Sequence, residues 1–311
     1  MTVLSRKLAA DDAFGLNTRA LTSSLARFSE DRFAATCLAM TTVFLGLALL
    51  GPFFAMHPPG NLAAIELADS MLAPLSKSTV SEMRYLLGTD VLGRDVLSMT
   101  IFGLRTSLVV AFASSGGALL IGCAAGLAAA YLRGAGAAII MRTVDIFLAV
   151  PSILFALLLI SILGRGTENT VLAILLVQWT HYARAMNAAA TAELGKDYVA
   201  AARLQGFPTA DILARQVFPN CLAPISVILA VQFGYVIALE ASLSFLGLGL
   251  PITQPSLGGL IAEGQEYLMG GAYWISVLPG FVLLLLVFSI NVVGDRLRAL
   301  QNPLNARNAA C

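Results

Sequence analysis

Charged side chains are scarce. They make up 12% of the 311 residues, against 58% hydrophobic ones. Soluble domains carry about 25% charge, so too little polar surface exists here to clothe a water-soluble body. The formal net charge of +1 offers no basic surface for nucleic acid. Cysteine is sparse: Cys37, Cys123, Cys221 and Cys311 form no C-x-x-C pair, which argues against a disulfide or zinc framework. Only Lys7, Lys77 and Lys196 are lysines, and none follows a Gly-x-x-x-x-Gly frame, so the chain has no phosphate loop of its own. Its two histidines, His57 and His181, are far apart, and no H-E-x-x-H or G-x-S-x-G pattern occurs. A membrane enzyme is disfavoured for lack of a catalytic constellation, and energy for any transport must come from elsewhere.

Long apolar runs are abundant. The stretch from Thr36 to Met56 has no charge and as a helix spans about 30 Å, one hydrocarbon core. It is too long for the apolar part of a cleaved signal and is followed by His57-Pro58-Pro59-Gly60, which stops a helix. Further runs lie near 106–132, 144–163, 170–190, 221–246 and 273–293. The expected fold is all-α, a polytopic membrane helix bundle of about six transmembrane helices. The expected division is a cytoplasmic segment 1–35, a first span 36–56, a periplasmic segment 57–103, a membrane core 104–296 with a cytoplasmic loop 191–220, and a cytoplasmic tail 297–311. With six spans, fourteen Lys/Arg share the face of both termini and five share the other, so the positive-inside rule puts the termini in the cytoplasm.

Within the runs, Gly122 and Gly126 form a G-x-x-x-G pair, suited to close helix packing inside the chain or to a subunit contact. Asp145 is expected as an interfacial carboxylate at the start of the third helix, and His181 as an interfacial or packed side chain. Glu240, about 28 Å along the fifth helix, is expected near the outer interface, as a local hydrogen-bonding group or a proton relay.

The loop 197–220 predicts two short helices. The first, about 197–205, stops at Gly206. Thr209 is placed to cap the second, Asp211 lies in its first turn, Pro219 limits it, and Ile212, Leu213 and Val217 share a face. Such an element suits docking, a membrane surface or a plain surface helix.

Several stretches together carry a resemblance. Ala201, Ala202, Gly206, Val217, Pro219 and Asn220 fall on the EAA-loop pattern of ATP-binding-cassette importer permeases, with Ala200 where Glu is usual and Phe218 where Leu is usual. Leu87-Gly88-Thr89-Asp90-Val91-Leu92-Gly93-Arg94-Asp95, Gly103-Leu104-Arg105-Thr106-Ser107-Leu108, Met141-Arg142-Thr143-Val144-Asp145-Ile146, Pro151-Ser152, the run Glu240 to Gly249 including Gly247, and Asn291-Val292-Val293-Gly294-Asp295-Arg296-Leu297-Arg298 match signatures of the C-type dipeptide/oligopeptide/nickel permeases. Leu257 stands where that family usually has Trp. The chain therefore resembles this family over about residues 33–303.

The resemblance implies a MetI-like ABC permease fold in a bacterial inner membrane. It implies a translocation pathway for di- or oligopeptides, shared with a second, homologous permease subunit. Two ABC ATPase subunits would hold ATP and Mg, leaving this chain non-catalytic, without metal or cofactor. A substrate-binding protein would deliver cargo. Coupling to the ATPase would fall on Ala200, Ala201, Ala202, Arg203, Gly206, Asp211, Ile212, Leu213, Val217 and Pro219. Nickel, glutathione and opine or sugar conjugates are alternative cargoes of the same machinery; an ion-gradient-driven secondary transporter is the alternative of another class.

Overall fold

The computed structural model describes residues 31–54, 67–79, 84–132, 134–251 and 253–301. The polar segment before residue 31, the His57–Gly60 stop, Arg133 and the tail beyond residue 301 lie outside them. Among the described residues there is no β-strand, only the isolated bridges Lys77–Arg84 and Thr89–Asp95.

Helices occupy all six expected stretches. They are α1 (Arg32–Phe54), α2 (Val96–Leu132), the pair α3 (Gly134–Ala149) and α4 (Ser152–Leu163), α5 (Thr167–Leu194), α7 (Thr209–Phe245) and α9 (Trp274–Gln301). Between them lie two short helices, α6 (Asp197–Leu204) and α8 (Leu257–Gln265). By length and composition α1, α2, α7 and α9 each suffice to cross a membrane.

The third stretch differs from the single span expected. It bends by 91° between α3 and α4. Pro151 sits at the break: it has no N–H to donate and disfavours helical geometry in Val150 before it. Either half alone is shorter than a hydrocarbon core, since the 16 and 12 residues rise only about 24 and 18 Å. Asp145 consequently lies near the C-terminal end of α3 rather than at a helix start, where the dipole no longer favours it. Arg184 of α5 pairs with it instead, at 2.5 Å.

The fourth stretch, α5, is 28 residues long but carries Glu168, Arg184 and Glu193. It tolerates polarity because much of it is enclosed by protein: Thr170, Gln178, Thr180, Tyr182 and Met186 are all buried. Its closest neighbour is α2. A Cβ at Gly122 would lie 2.4 Å from the Trp179 carbonyl oxygen, and one at Gly126 would lie 2.3 Å from that of Ala183. The G-x-x-x-G pair thus serves contact within the chain. Lipid gives helices no hydrophobic reason to associate, so this close backbone packing carries the attraction.

α2 begins at Val96, not near residue 106, and its 37 residues extend about 55 Å. Its first turns therefore project beyond a hydrocarbon core. Asp95 caps them: its Oδ2 accepts from the Ser98 amide at 2.9 Å and the Ser98 hydroxyl at 2.7 Å. Replacing an N-cap acid by Ala costs about 0.5–2 kcal/mol. Asp95→Ala is accordingly expected to lower the Tm of the detergent-solubilised protein, with Asp95→Asn close to the parent.

Candidate functional site

At one end of the bundle, α6 and the start of α7 form a hairpin-like loop. Val199 and Ala202 of α6, with Ile212 and Val217 of α7, are buried against Ala130 of α2 and against Met186, Ala190 and Leu194 of α5. The face turned outward holds Ala200, Ala201, Arg203, Leu204 and Phe207, of which Leu204 is 90% exposed. A small apolar helix is thus anchored by one face and presented by the other.

Gly206 ends α6. Its φ is +77°. Its N–H donates to the Arg203 carbonyl at 3.0 Å, and the Phe207 N–H donates to that of Ala202 at 3.2 Å. This pair of bonds is a Schellman motif, which places glycine in the left-handed region. Tyr198 ties the loop to its stem: its hydroxyl donates to Glu193 Oε2 at 2.7 Å and accepts from Asn220 Nδ2 at 3.4 Å. Burial and the Glu193 carboxylate push that hydroxyl up to about 12, so it stays a donor at neutral pH.

Two local expectations differ from the structure. Thr209 does not cap α7; Pro208 occupies that position and no side chain closes the turn. Pro219 does not limit the helix either, because α7 runs unbroken from Thr209 to Phe245. A π-turn at Leu213–Val217 precedes the proline. Its wider register carries the backbone past Pro219, whose ring would otherwise crowd the carbonyl four residues earlier. The loop is therefore rigidly continuous with a membrane-crossing helix. Asp211 and Arg215 approach to only 3.9 Å at the surface, a contact worth little.

At the opposite end, the Leu87–Asp95 signature folds into a polar knot. Gly88 and Gly93 both have positive φ. Asp90 Oδ1 accepts from the amides of Leu92 and Arg94, each at 2.9 Å. The Arg94 guanidinium bridges Asp90 at 2.5 Å and Glu263 of α8 at 2.8 Å, with only 8% of its side chain exposed. Burial pushes the Glu263 carboxyl up, opposed by Arg94 and reinforced by Asp90. Falling pH therefore neutralises Glu263, and weakens its contact with Arg94, earlier than it would an exposed glutamate. The Trp274 Nε1–H of α9 donates to the Thr89 carbonyl at 3.1 Å.

Asp69 is enclosed beneath the same knot. Burial alone would raise its pKa, but bonds from Ser78, Thr79 and Tyr85 outweigh this and hold the carboxyl well below the usual range. A depressed folded-state pKa stabilises above the unfolded value of about 3.9 and is lost as pH falls toward the folded one. Asp69→Asn is expected to flatten the acid limb of a Tm-versus-pH curve below about pH 4; an unchanged limb would refute this role.

Glu240 is fully buried on α7, and the Ser244 hydroxyl donates to its Oε1 at 2.8 Å. Ser107 of α2 and Ser256 before α8 complete its surroundings. This is a local hydrogen-bonding group joining three elements. Gly249 closes against Ser244, and its carbonyl accepts from the Gly166 amide at 3.3 Å. Gly247 turns the chain at φ +74°. Arg105 and Asp295 are exposed on α2 and α9. The signature residues therefore do not converge on one site; they divide between helix entry, helix junctions and the bend at Pro151. Sequence reading missed Asp69, Glu263 and Trp274. Glu263 lies 169 residues from its partner Arg94, and nothing local marks it.

Apolar helices that enclose a polar one, and that hold a short exposed helix on one end, define a polytopic membrane helix bundle. The chain belongs to the family described as binding-protein-dependent transport system inner membrane component, whose model matches residues 118–306. It is 38% identical over 283 residues to the di/tripeptide transport system permease protein DppC of Pseudomonas aeruginosa, covering 91% of each chain. It is 36% identical over 276 residues to the dipeptide transport system permease protein DppC of Escherichia coli K12, covering 89% of this chain and 90% of that one. In fold it is similar to a chain of the MetNI methionine ABC transporter, with TM-score 0.53 at 20% identity, over 65% of this chain and 95% of that chain. It is thus a multi-pass inner-membrane permease subunit of an ABC importer.

Proposed function

We propose that this permease carries di- or oligopeptides, driven by ATP bound and hydrolysed, with Mg, on two separate ATPase subunits. A second, homologous permease completes the pathway, and an extracytoplasmic binding protein delivers the cargo. Both termini and the loop 191–220 face the cytoplasm, as the distribution of Lys and Arg favours. No metal or cofactor is assigned to this chain.

One observation carries the coupling role. α6 is fixed to the bundle through Val199 and Ala202 while Ala200, Ala201, Leu204 and Phe207 stay exposed. An exposed apolar patch on a loop outside the membrane suits a protein contact. The ATPase takes hold of this face. Because α7 continues without a break from Thr209 through the membrane, displacement of the loop displaces a spanning helix. ATP binding thereby biases a two-state bundle.

Identity to two peptide permeases over about 90% of the chain supports peptide cargo over nickel or sugar conjugates. The test is what the neighbouring binding protein retains on purification, identified by mass spectrometry. Short peptides are expected; nickel, glutathione or an opine in their place would overturn the cargo assignment.

A further inference from the structure

A polar ladder runs along the bundle toward the coupling loop. A cavity of about 810 Å³ opens between α3, α5, α7 and α9 on the side toward the coupling loop, with His181, Arg184, Gln232 and Arg298 among its lining. Its volume falls in the range of small-molecule sites, roughly 300–1,000 Å³. The rest of the wall is largely small or apolar, including Ala188 and Val227.

Gln178 backs this wall. It is fully buried near the middle of α5, and its Oε1 accepts from Gln232 Nε2 at 3.4 Å. Its own Nε2 has no hydrogen-bond partner. A polar group left unpaired inside a spanning bundle is costly, and such groups face the bundle interior or a water-filled path. One turn further along α5 come His181 and then Arg184, whose charge is offset by Asp145. Arg298, on the α9 side of the cavity, forms no ion pair among the described residues. The cavity wall therefore carries one cation without a counter-charge, Arg298, beside the Gln232 amide and the His181 imidazole. Guanidinium is matched to carboxylate in geometry as well as charge.

We propose that this cavity is the chain's inner wall of the translocation path, and that it receives the terminal carboxylate of a peptide leaving toward the cytoplasm. The inference rests on the peptide-import reading for its occupant, but the anion preference of the wall does not depend on that reading.

The test uses the complete importer in proteoliposomes without nucleotide. Val227→Cys, or Ala188→Cys on the facing helix if the first fails to assemble, is labelled from the loop side. The probes are a sulfonate-bearing and a trimethylammonium-bearing methanethiosulfonate, with rates normalised to a free thiol and the unmodified complex setting the background. An uncompensated cation attracts the sulfonate and repels the trimethylammonium, so the anionic reagent is expected to react at least about tenfold faster. Arg298→Gln should remove the preference and Arg298→Lys keep it. Millimolar dialanine should slow labelling, and its C-terminal amide should not. No labelling above background, or charge-blind labelling, overturns the cavity assignment. Anion preference without dialanine protection overturns the peptide carboxylate as occupant. Uptake of labelled dialanine by the same vesicles separates these outcomes from failure of the import reading: absent uptake sinks that reading, whereas present uptake with charge-blind labelling sinks only the cavity.

Discussion

Gly206→Val is expected to reduce ATP-driven uptake by about tenfold or more while the subunits remain assembled. Nothing lies within 4 Å of a Cβ at this position, so crowding is not the cause. The cause is the backbone. A φ of +77° costs an ordinary L-residue roughly 1–2 kcal/mol, and a β-branched residue is a genuine outlier there. About 1.4 kcal/mol is a factor of ten in population. Relief of that strain opens the two bonds from Gly206 and Phe207 to the last turn of α6. α6 then loses its fixed relation to the start of α7, which is the relation a coupling helix needs. ATP hydrolysis should continue, because no ATPase residue is touched. Gly206→Asn should keep most of the uptake, since Asn tolerates the left-handed region. Wild-type uptake in Gly206→Val, or equal loss in both variants, would show that this backbone geometry is not what transmits motion.

Arg94→Met is expected to be the most destabilising single change at the opposite end, costing about 3–5 kcal/mol, as loss of one partner from a buried ion group does. The loss falls unequally. Glu263 keeps 34% of its side chain exposed and can be hydrated. Asp90 is 3% exposed in the pair and keeps only the two backbone amides of Leu92 and Arg94. The Leu87–Asp95 knot seats both the N-terminus of α2 and, through Thr89 and Trp274, the start of α9. Two spanning helices should therefore loosen together, seen as a lower Tm in detergent and a poorer yield of assembled importer. Adding Glu263→Gln to Arg94→Met should recover part of the loss, and adding Asp90→Asn more of it. A double variant no better than the single one would mean that charge balance is not what Arg94 supplies.

The bundle was legible because lipid imposes a simple rule: an apolar run long enough to cross becomes a helix. α1, α2, α7 and α9 obey it. α5 was legible as a helix but is too polar to qualify on composition, and its burial behind α2 explains why that polarity is tolerated. The bend at Pro151 was not read, because proline inside an apolar run is compatible with a mild kink as well as a 91° turn; the neighbours decide. Pro219 misled in the other sense. Proline predicts a helix end, and the π-turn at Leu213–Val217 removes the conflict without leaving a local sequence mark. The stop at Gly206 was readable from glycine chemistry alone. The Arg94–Glu263 bond and the cavity wall of His181, Gln232 and Arg298 were not readable, since each joins residues far apart in the chain.

The central claim is that this chain contributes the pathway and the loop, but not the energy. ATP-dependent accumulation of labelled dialanine in proteoliposomes measures it most directly. Accumulation is expected only when this chain, its partner permease, both ATPases and the binding protein are present with ATP. None is expected from this chain alone under a proton or sodium gradient. Gradient-driven accumulation by the lone chain, with no effect of ATP, would contradict it.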